Sequence, residues 1–208
     1  MSAAAWQRTL EVQTAEHTHT LGAALGAQLA AGDLVILTGE LGAGKTTFTQ
    51  GLGEGMGVRA GIISPTFVLV RIHPNLPDGP RPGGPDLVHV DAYRLESASE
   101  IDDIDLENTM DSAVTVVEWG RDRVEHLSES RLEVDLYRAL GGTPAASSGH
   151  GSPGPAEAGG VLDFDTDDDG EPRTVVIRGF GPRWAQPPAL PGLPILPGTL
   201  PAAAEGNS

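Results

Sequence analysis

TGELGAGKTTFTQGLG (38–53) holds Gly39, Gly44, Lys45 and Thr46 in the spacing G-x-x-x-x-G-K-T. The glycines, helped by Gly42, let the backbone curl until successive N–H groups converge on one phosphate. A helix starting there points its N-terminus at the same anion. Lys45 is the only lysine in the chain; every other cationic side chain is an arginine. This position keeps lysine because it needs a compact ammonium on a flexible stem, and a planar guanidinium is too bulky for the loop to wrap. Thr46 adds a hydroxyl suited to Mg²⁺. Glycine-rich sequence makes turns freely, so context must separate motif from chance. An apolar run, DLVILTG (33–39), precedes the loop and a helix-compatible TTFTQGL (46–52) follows it. That order predicts an α/β fold whose first central strand is buried on both faces.

Working outward, WQRTLEV (6–12) reads as a strand and 14–30 as a helix with Leu21, Leu25 and Leu29 on one face. A helix is predicted over 45–56, and strands over 64–73, 86–95, 114–120, 131–137 and 173–180. A Pro/Gly-rich surface loop fills 74–85. Ser97 and Glu100 have capping-box spacing before a short helix, and RDRVEHL (121–127) supplies a helical turn or two. RLEVDLY (131–137) alternates as a half-exposed strand should, and RTVVIRGF (173–180) can pair with it. The 28 glycines and 17 prolines are unevenly placed. Residues 141–170 are rich in Gly, Ser, Pro and Ala with almost nothing to bury, and read as a disordered insertion. Residues 182–208 read as an extended or disordered Pro/Ala-rich tail. The organised unit is then 1–140 plus 171–181.

The formal net charge is −16 and the arginines are scattered among carboxylates. A chain that grips nucleic acid alone needs a basic stripe to displace phosphate counterions, and none is present. Any nucleic acid in its biology must be held by a partner. Cysteine is absent, which excludes disulfides and thiolate metal sites. MSAAAWQRTLEV (1–12) lacks the basic-then-apolar order of a signal peptide, and no apolar run is long enough to span a membrane. A cytoplasmic protein without membrane contact is expected.

A phosphate loop needs carboxylates at the ends of neighbouring strands to hold Mg²⁺ and place an attacking water. Two strands end suitably: LVHVDAYR (87–94) delivers Asp91 and VTVVEWG (114–120) delivers Glu118. The plain alternative is that each acid is the first solvated residue after its strand. Ser64 and Thr66, in SPTF (64–67), stand where the chain can approach the last phosphate, although a Ser-Pro-Thr turn explains the same letters.

Seven carboxylates lie within 96–111, read first as a solvated face and second as a docking surface for a basic partner. Asp165, Asp167, Asp169 and Gly170 imitate the start of a calcium loop, but Val176 stands where a glutamate is required. The six histidines show no metal-ligand spacing, and His17 and His19 read as exposed helix residues. Arg94 can pair with an acid or a phosphate.

GELGAGKTTF, SPTF, HVDAYRL and VVEWG, in that order over about residues 9–138, resemble the TsaE (YjeE) family of small bacterial ATPases. The resemblance implies a P-loop NTPase core, three-layered, with a mixed parallel and antiparallel sheet. It implies that Gly42, Ala43, Gly44, Lys45, Thr46 and Thr47 cradle ATP. Thr46 and Glu118 would bind Mg²⁺, Asp91 would be the second acid near the metal, and Trp119 the aromatic after the glutamate. Lys45, Asp91 and Glu118 would carry the hydrolysis. The family makes threonylcarbamoyladenosine in tRNA together with a TsaD–TsaB pair, so tRNA would be met only through those partners. Ala92 stands where the family more often has a larger apolar residue, and an adenine contact is expected near Thr18. The rival reading is a small-molecule P-loop kinase, which would need an arginine-bearing lid; RDRVEHL is too short to build one. A GTP switch is excluded, because its N-K-x-D motif needs a second lysine.

Overall fold

The structure, a computed structural model, describes residues 3–95, 100, 104–138 and 172–190. Leu34, Val35, Ile36 and Leu37 are each fully buried, so the run before the phosphate loop has to be a central strand. It is β2 (Leu34–Gly39), which pairs in parallel with β5 (Ala113–Glu118) on one side and β6 (Arg131–Arg138) on the other. The sheet has seven strands in the order β1-β7-β6-β2-β5-β4-β3. β4 (Asp86–Asp91) continues the parallel set beside β5. Antiparallel strands close both flanks: β3 (Val70–His73) at one edge, and β7 (Arg173–Phe180) followed by β1 (Trp6–Val12) at the other. A mixed α/β sheet was expected, and it is what forms.

Strand alternation assigns the two faces. Val35, Leu37, Val114, Val116, Leu132, Val134, Leu136, Val175 and Ile177 join one core beneath α1 (Ala15–Gly26) and α2 (Lys45–Met56). Leu34, Ile36, Val88, Val90 and Val117 face the other way, where they pack with Leu106, Met110 and Val124 around the short α3 (Glu107–Met110). On β6 the polar half of the alternation is used too. Asp135, 1% exposed, accepts from Arg121, from Arg178 at 2.6 Å and from the Tyr137 hydroxyl at 3.3 Å. A buried carboxylate survives there because three donors replace its water.

Two predicted strands are shorter than expected, for local reasons. β3 begins only at Val70, because the Pro65 carbonyl accepts from both Val68 and Leu69 and closes a turn. β4 stops at Asp91, because its carboxylate accepts from Tyr93 N at 2.8 Å and bends the chain. α1 ends at Gly26 rather than near 30, with the Asp33 carboxylate capturing Ala30 N at 2.8 Å. The core also runs past 181. A 3₁₀ turn, Pro182–Trp184, buries Trp184, whose carbonyl accepts from Trp6 Nε1 at 2.7 Å, and Leu190 packs on the same core. Ser97 of the capping pair, residues 96–99 and 101–103 of the acidic run, the insertion 141–170 with its calcium-like stretch, and the tail beyond 190 lie outside the described residues, whereas Asp105, Glu107 and Asp111 of that run are exposed.

The helix behind the phosphate loop is held by backbone contact. A Cβ on Gly51 of α2 would lie 2.0 Å from His19 O, and one on Gly22 of α1 would lie 2.3 Å from Phe48 O. Gly55 and Gly26, one turn on, are equally tight, so the helices touch main chain to main chain. Gly51→Ala should therefore destabilise the protein by about 1–3 kcal/mol through overpacking. An alanine in an open helical position would stabilise instead, so the sign of the shift in denaturant midpoint decides the matter.

Candidate active site

β2 ends where Gly39 fits closely against β6: a Cβ there would meet Leu136 O at 2.7 Å. The chain then reverses through Gly42 and Gly44, whose φ values of +73° and +95° fall in the left-handed region that suits glycine. Gly44 is the N-cap of α2, and its carbonyl accepts from Phe48 N at 2.9 Å. The loop expected from the sequence forms, with Thr46 and Thr47 half-buried in the first helical turn.

Lys45 is 6% exposed, and its Nζ donates to Gly39 O at 2.9 Å and Glu40 O at 3.1 Å. The ammonium also lies 4.2 Å from the centre of the Trp119 ring, within cation–π range. Burial pushes its pKa below the usual lysine value, while Glu118 and then Asp91 pull it back up. The lysine therefore feels both acids singled out from the sequence. Those acids are register partners on adjacent parallel strands, Asp91 opposite Glu118, and each is 2% exposed. They are not the first solvated residues after their strands.

Each acid has its own donors. Asp91 Oδ2 accepts from the Thr66 hydroxyl and, at 3.4 Å, from Ser64, whose hydroxyl lies 2.7 Å from that of Thr66. The SPTF turn is thus tied to the site, through Asp91. Glu118 Oε1 lies 2.9 Å from Nε2 of His89, a fully buried side chain that the sequence reading passed over. Past Glu118, Trp119 takes φ +61°, uncommon for an aromatic, and its N–H donates to Leu37 O at 2.9 Å. That turn carries the indole across to Lys45 and to the Tyr93 ring, 5.3 Å away between centroids. Thr38, Tyr93, Trp119, Arg121 and Arg123 line a cleft of about 270 Å³ beside this point.

Two arginines reach the loop without any motif to announce them. A Cβ on Gly42 would sit 3.1 Å from the Arg138 guanidinium, and one on Gly44 would sit 3.5 Å from Arg173 Nε. They are register partners at the ends of β6 and β7. Only the pairing of Gly39 with Leu136 puts Arg138, two residues on, beside the loop. Thr18 is fully buried, with its methyl toward Gly44 and its hydroxyl donating to Thr14 O at 3.3 Å. Arg94 stacks 4.9 Å over Phe67. His17 is exposed and His19 half-buried in α1. Among the described residues no group of three or more His, Cys, Asp and Glu forms a metal cluster, and no helix is long and apolar enough to cross a membrane.

A lowered lysine pKa has a defined sign. Between the folded value and the usual lysine value the unfolded chain binds more protons, so stability of the ligand-free protein rises with pH across that window. Because Lys45 is unique, ¹⁵N-lysine labelling yields one side-chain signal. That signal should titrate below the range of a free lysine. A normal midpoint would contradict the buried placement.

Residues 12–142 match the family described as threonylcarbamoyl adenosine biosynthesis protein TsaE. A Streptomyces coelicolor tRNA threonylcarbamoyladenosine biosynthesis protein TsaE is 48% identical over 166 residues, 79% of this chain and 92% of the relative. The Mycobacterium tuberculosis and Bacillus subtilis proteins of that name are 47% and 38% identical, covering 62% and 60% of this chain and 79% and 73% of their own lengths. Among solved structures, Bacillus subtilis YdiB superposes with a TM-score of 0.56 at 25% identity, over 86% of this chain and 88% of that one.

Proposed function

From the premise that this chain belongs to the TsaE family of tRNA threonylcarbamoyladenosine biosynthesis proteins, we propose that it binds Mg·ATP and hydrolyses it. One observation carries the reading: a single buried ammonium in a phosphate loop feels two buried acids that are register partners on adjacent strands. A structural ion cluster would not need a glycine loop with two left-handed turns beside it.

The oxygen donors suit the metal. Thr46, Asp91 and Glu118 offer a hydroxyl and two carboxylates, the hard ligands that magnesium prefers. These three residues would hold it. Bound there, magnesium would neutralise charge on the phosphate oxygens during in-line attack by water. Lys45 would exchange its two carbonyl acceptors for the outer phosphates, which needs only rotation of its stem. The amides of Gly42, Ala43, Gly44, Lys45, Thr46 and Thr47 would cradle the rest. Asp91 or Glu118 would orient the water, with the Thr66 hydroxyl steadying Asp91.

The reading includes a TsaD–TsaB pair that holds the tRNA and transfers the carbamoyl group. A net charge of −16 fits that division of labour. Arg121, the nearest arginine after the glutamate, is bound to Asp135 and Glu133, and turnover of the protein alone should be slow, because no motif supplies an arginine finger. With γ-labelled ATP, label should appear as inorganic phosphate, faster with the TsaD–TsaB pair than without it. Transfer of label to a metabolite would instead support the kinase reading. Lys45→Ala should weaken nucleotide binding about 10–100-fold, the worth of a hydrogen bond to a charged group. Isothermal titration checks it, and unchanged affinity would remove Lys45 from the site.

A further inference from the structure

We propose that His89 is a positioning residue for Glu118, fixing the carboxylate so that its second oxygen faces the phosphate loop. The inference rests on the reading of Glu118 as an acid on the magnesium side of the site.

The placement follows from strand geometry. In HVD (89–91), His89 and Asp91 are two residues apart on β4 and share a face. Asp91 pairs with Glu118 and His89 with Val116, so His89 is the diagonal neighbour of Glu118 on that face. Nε2 to Oε1 is 2.9 Å, with the two side chains 0% and 3% exposed. Water cannot replace this donor. The hydrogen on Nε2 is present in the imidazolium and in the Nε2–H tautomer alike, so the contact does not depend on the charge of the ring.

The opposite nitrogen supports a directed role. His89 Nδ1 is buried with no hydrogen-bond partner among the described residues, as is Nε2 of His73, whose ring lies 6.3 Å away between centroids. A buried polar atom left unmatched destabilises the fold. A leucine would fill the same space beneath α2 without that penalty, so stability alone does not account for an imidazole here. What the ring contributes is one N–H aimed at one oxygen of Glu118. Buried carboxylates with an engaged oxygen keep one rotamer, and groups that orient a metal ligand in this way tune the affinity of the metal itself.

His89→Asn and His89→Gln test this, because both keep a neutral amide and only glutamine reaches the position of Nε2. Magnesium would be titrated against the full-length protein with a non-hydrolysable ATP analogue, followed by tryptophan fluorescence, since Trp119 adjoins Glu118. Nucleotide affinity in EDTA would be measured in parallel. The asparagine variant should need about 10–100-fold more magnesium at half-saturation, with metal-free nucleotide affinity little changed, whereas the glutamine variant should stay within about threefold of wild type. Equal behaviour of the two variants, or loss of metal-free binding in both, would overturn the proposal. Glu118→Gln separates the two readings. If it weakens magnesium and His89→Asn does not, only the role of His89 falls. If it leaves magnesium unmoved, the assignment of Glu118 falls first and the proposal with it.

Discussion

The structure depends on keeping one positive charge, Lys45, out of water beside two negative ones. Desolvating an ammonium is unfavourable, and its depressed pKa records that burial outweighs the attraction of Glu118 and Asp91. Two buried carboxylates side by side are unfavourable as well. Each component would be destabilising without the other, so the sheet must bring them together in register. The parallel pairing of β4 with β5 and β5 with β2 does this: it sets Asp91 opposite Glu118 and Glu118 opposite Leu37, at the strand end that leads into the loop. A slip of one residue in either ladder would turn an acid to the opposite face.

Such a cluster stays in place only on a rigid support, and the glycines of α1 and α2 supply one. Gly51, Gly53 and Gly55 weaken α2 as an isolated helix by about 1 kcal/mol each. In the folded chain Gly51 and Gly55 let the α2 backbone meet α1 directly, while Gly53 makes room for Ile62 and Val58. Local helix stability is exchanged for close packing. The N-terminus of α2, which aims its amides at the loop, is thereby fixed to the same core as β2.

Much of this was legible in the sequence because its signals are local. Strand, glycine loop and helix could be read from 33–56 alone, and Asp91 and Glu118 from the apolar runs before them. The alternation in 131–137 gave the pairing with 173–180, but the strand is not half-exposed as expected, since Arg131, Glu133 and Asp135 are buried along with the apolar residues. What escaped depends on distant partners. SPTFVLVRIH looks like one strand, yet Thr66 and Ser64 answer to Asp91, 25 and 27 residues away, and the chain turns there with Leu69 at φ +65°. His89 read as one more strand residue because its meaning is a diagonal contact across β4 and β5. Trp184 looked like the start of a tail because its partner, Trp6, lies 178 residues earlier.

The net charge of −16 sets a last constraint, since the proposed ligand is itself polyanionic. At physiological ionic strength the screening length is about 8 Å, so exposed carboxylates farther off contribute little at the loop. What matters is the charge within that distance. There the chain has gathered Lys45, with the guanidinium of Arg138 beside Gly42 and that of Arg173 beside Gly44. The acids it places nearby, Asp91 and Glu118, are the two proposed to hold magnesium. The proposed triphosphate would thus meet three cationic side chains at the loop of a chain whose net charge is negative.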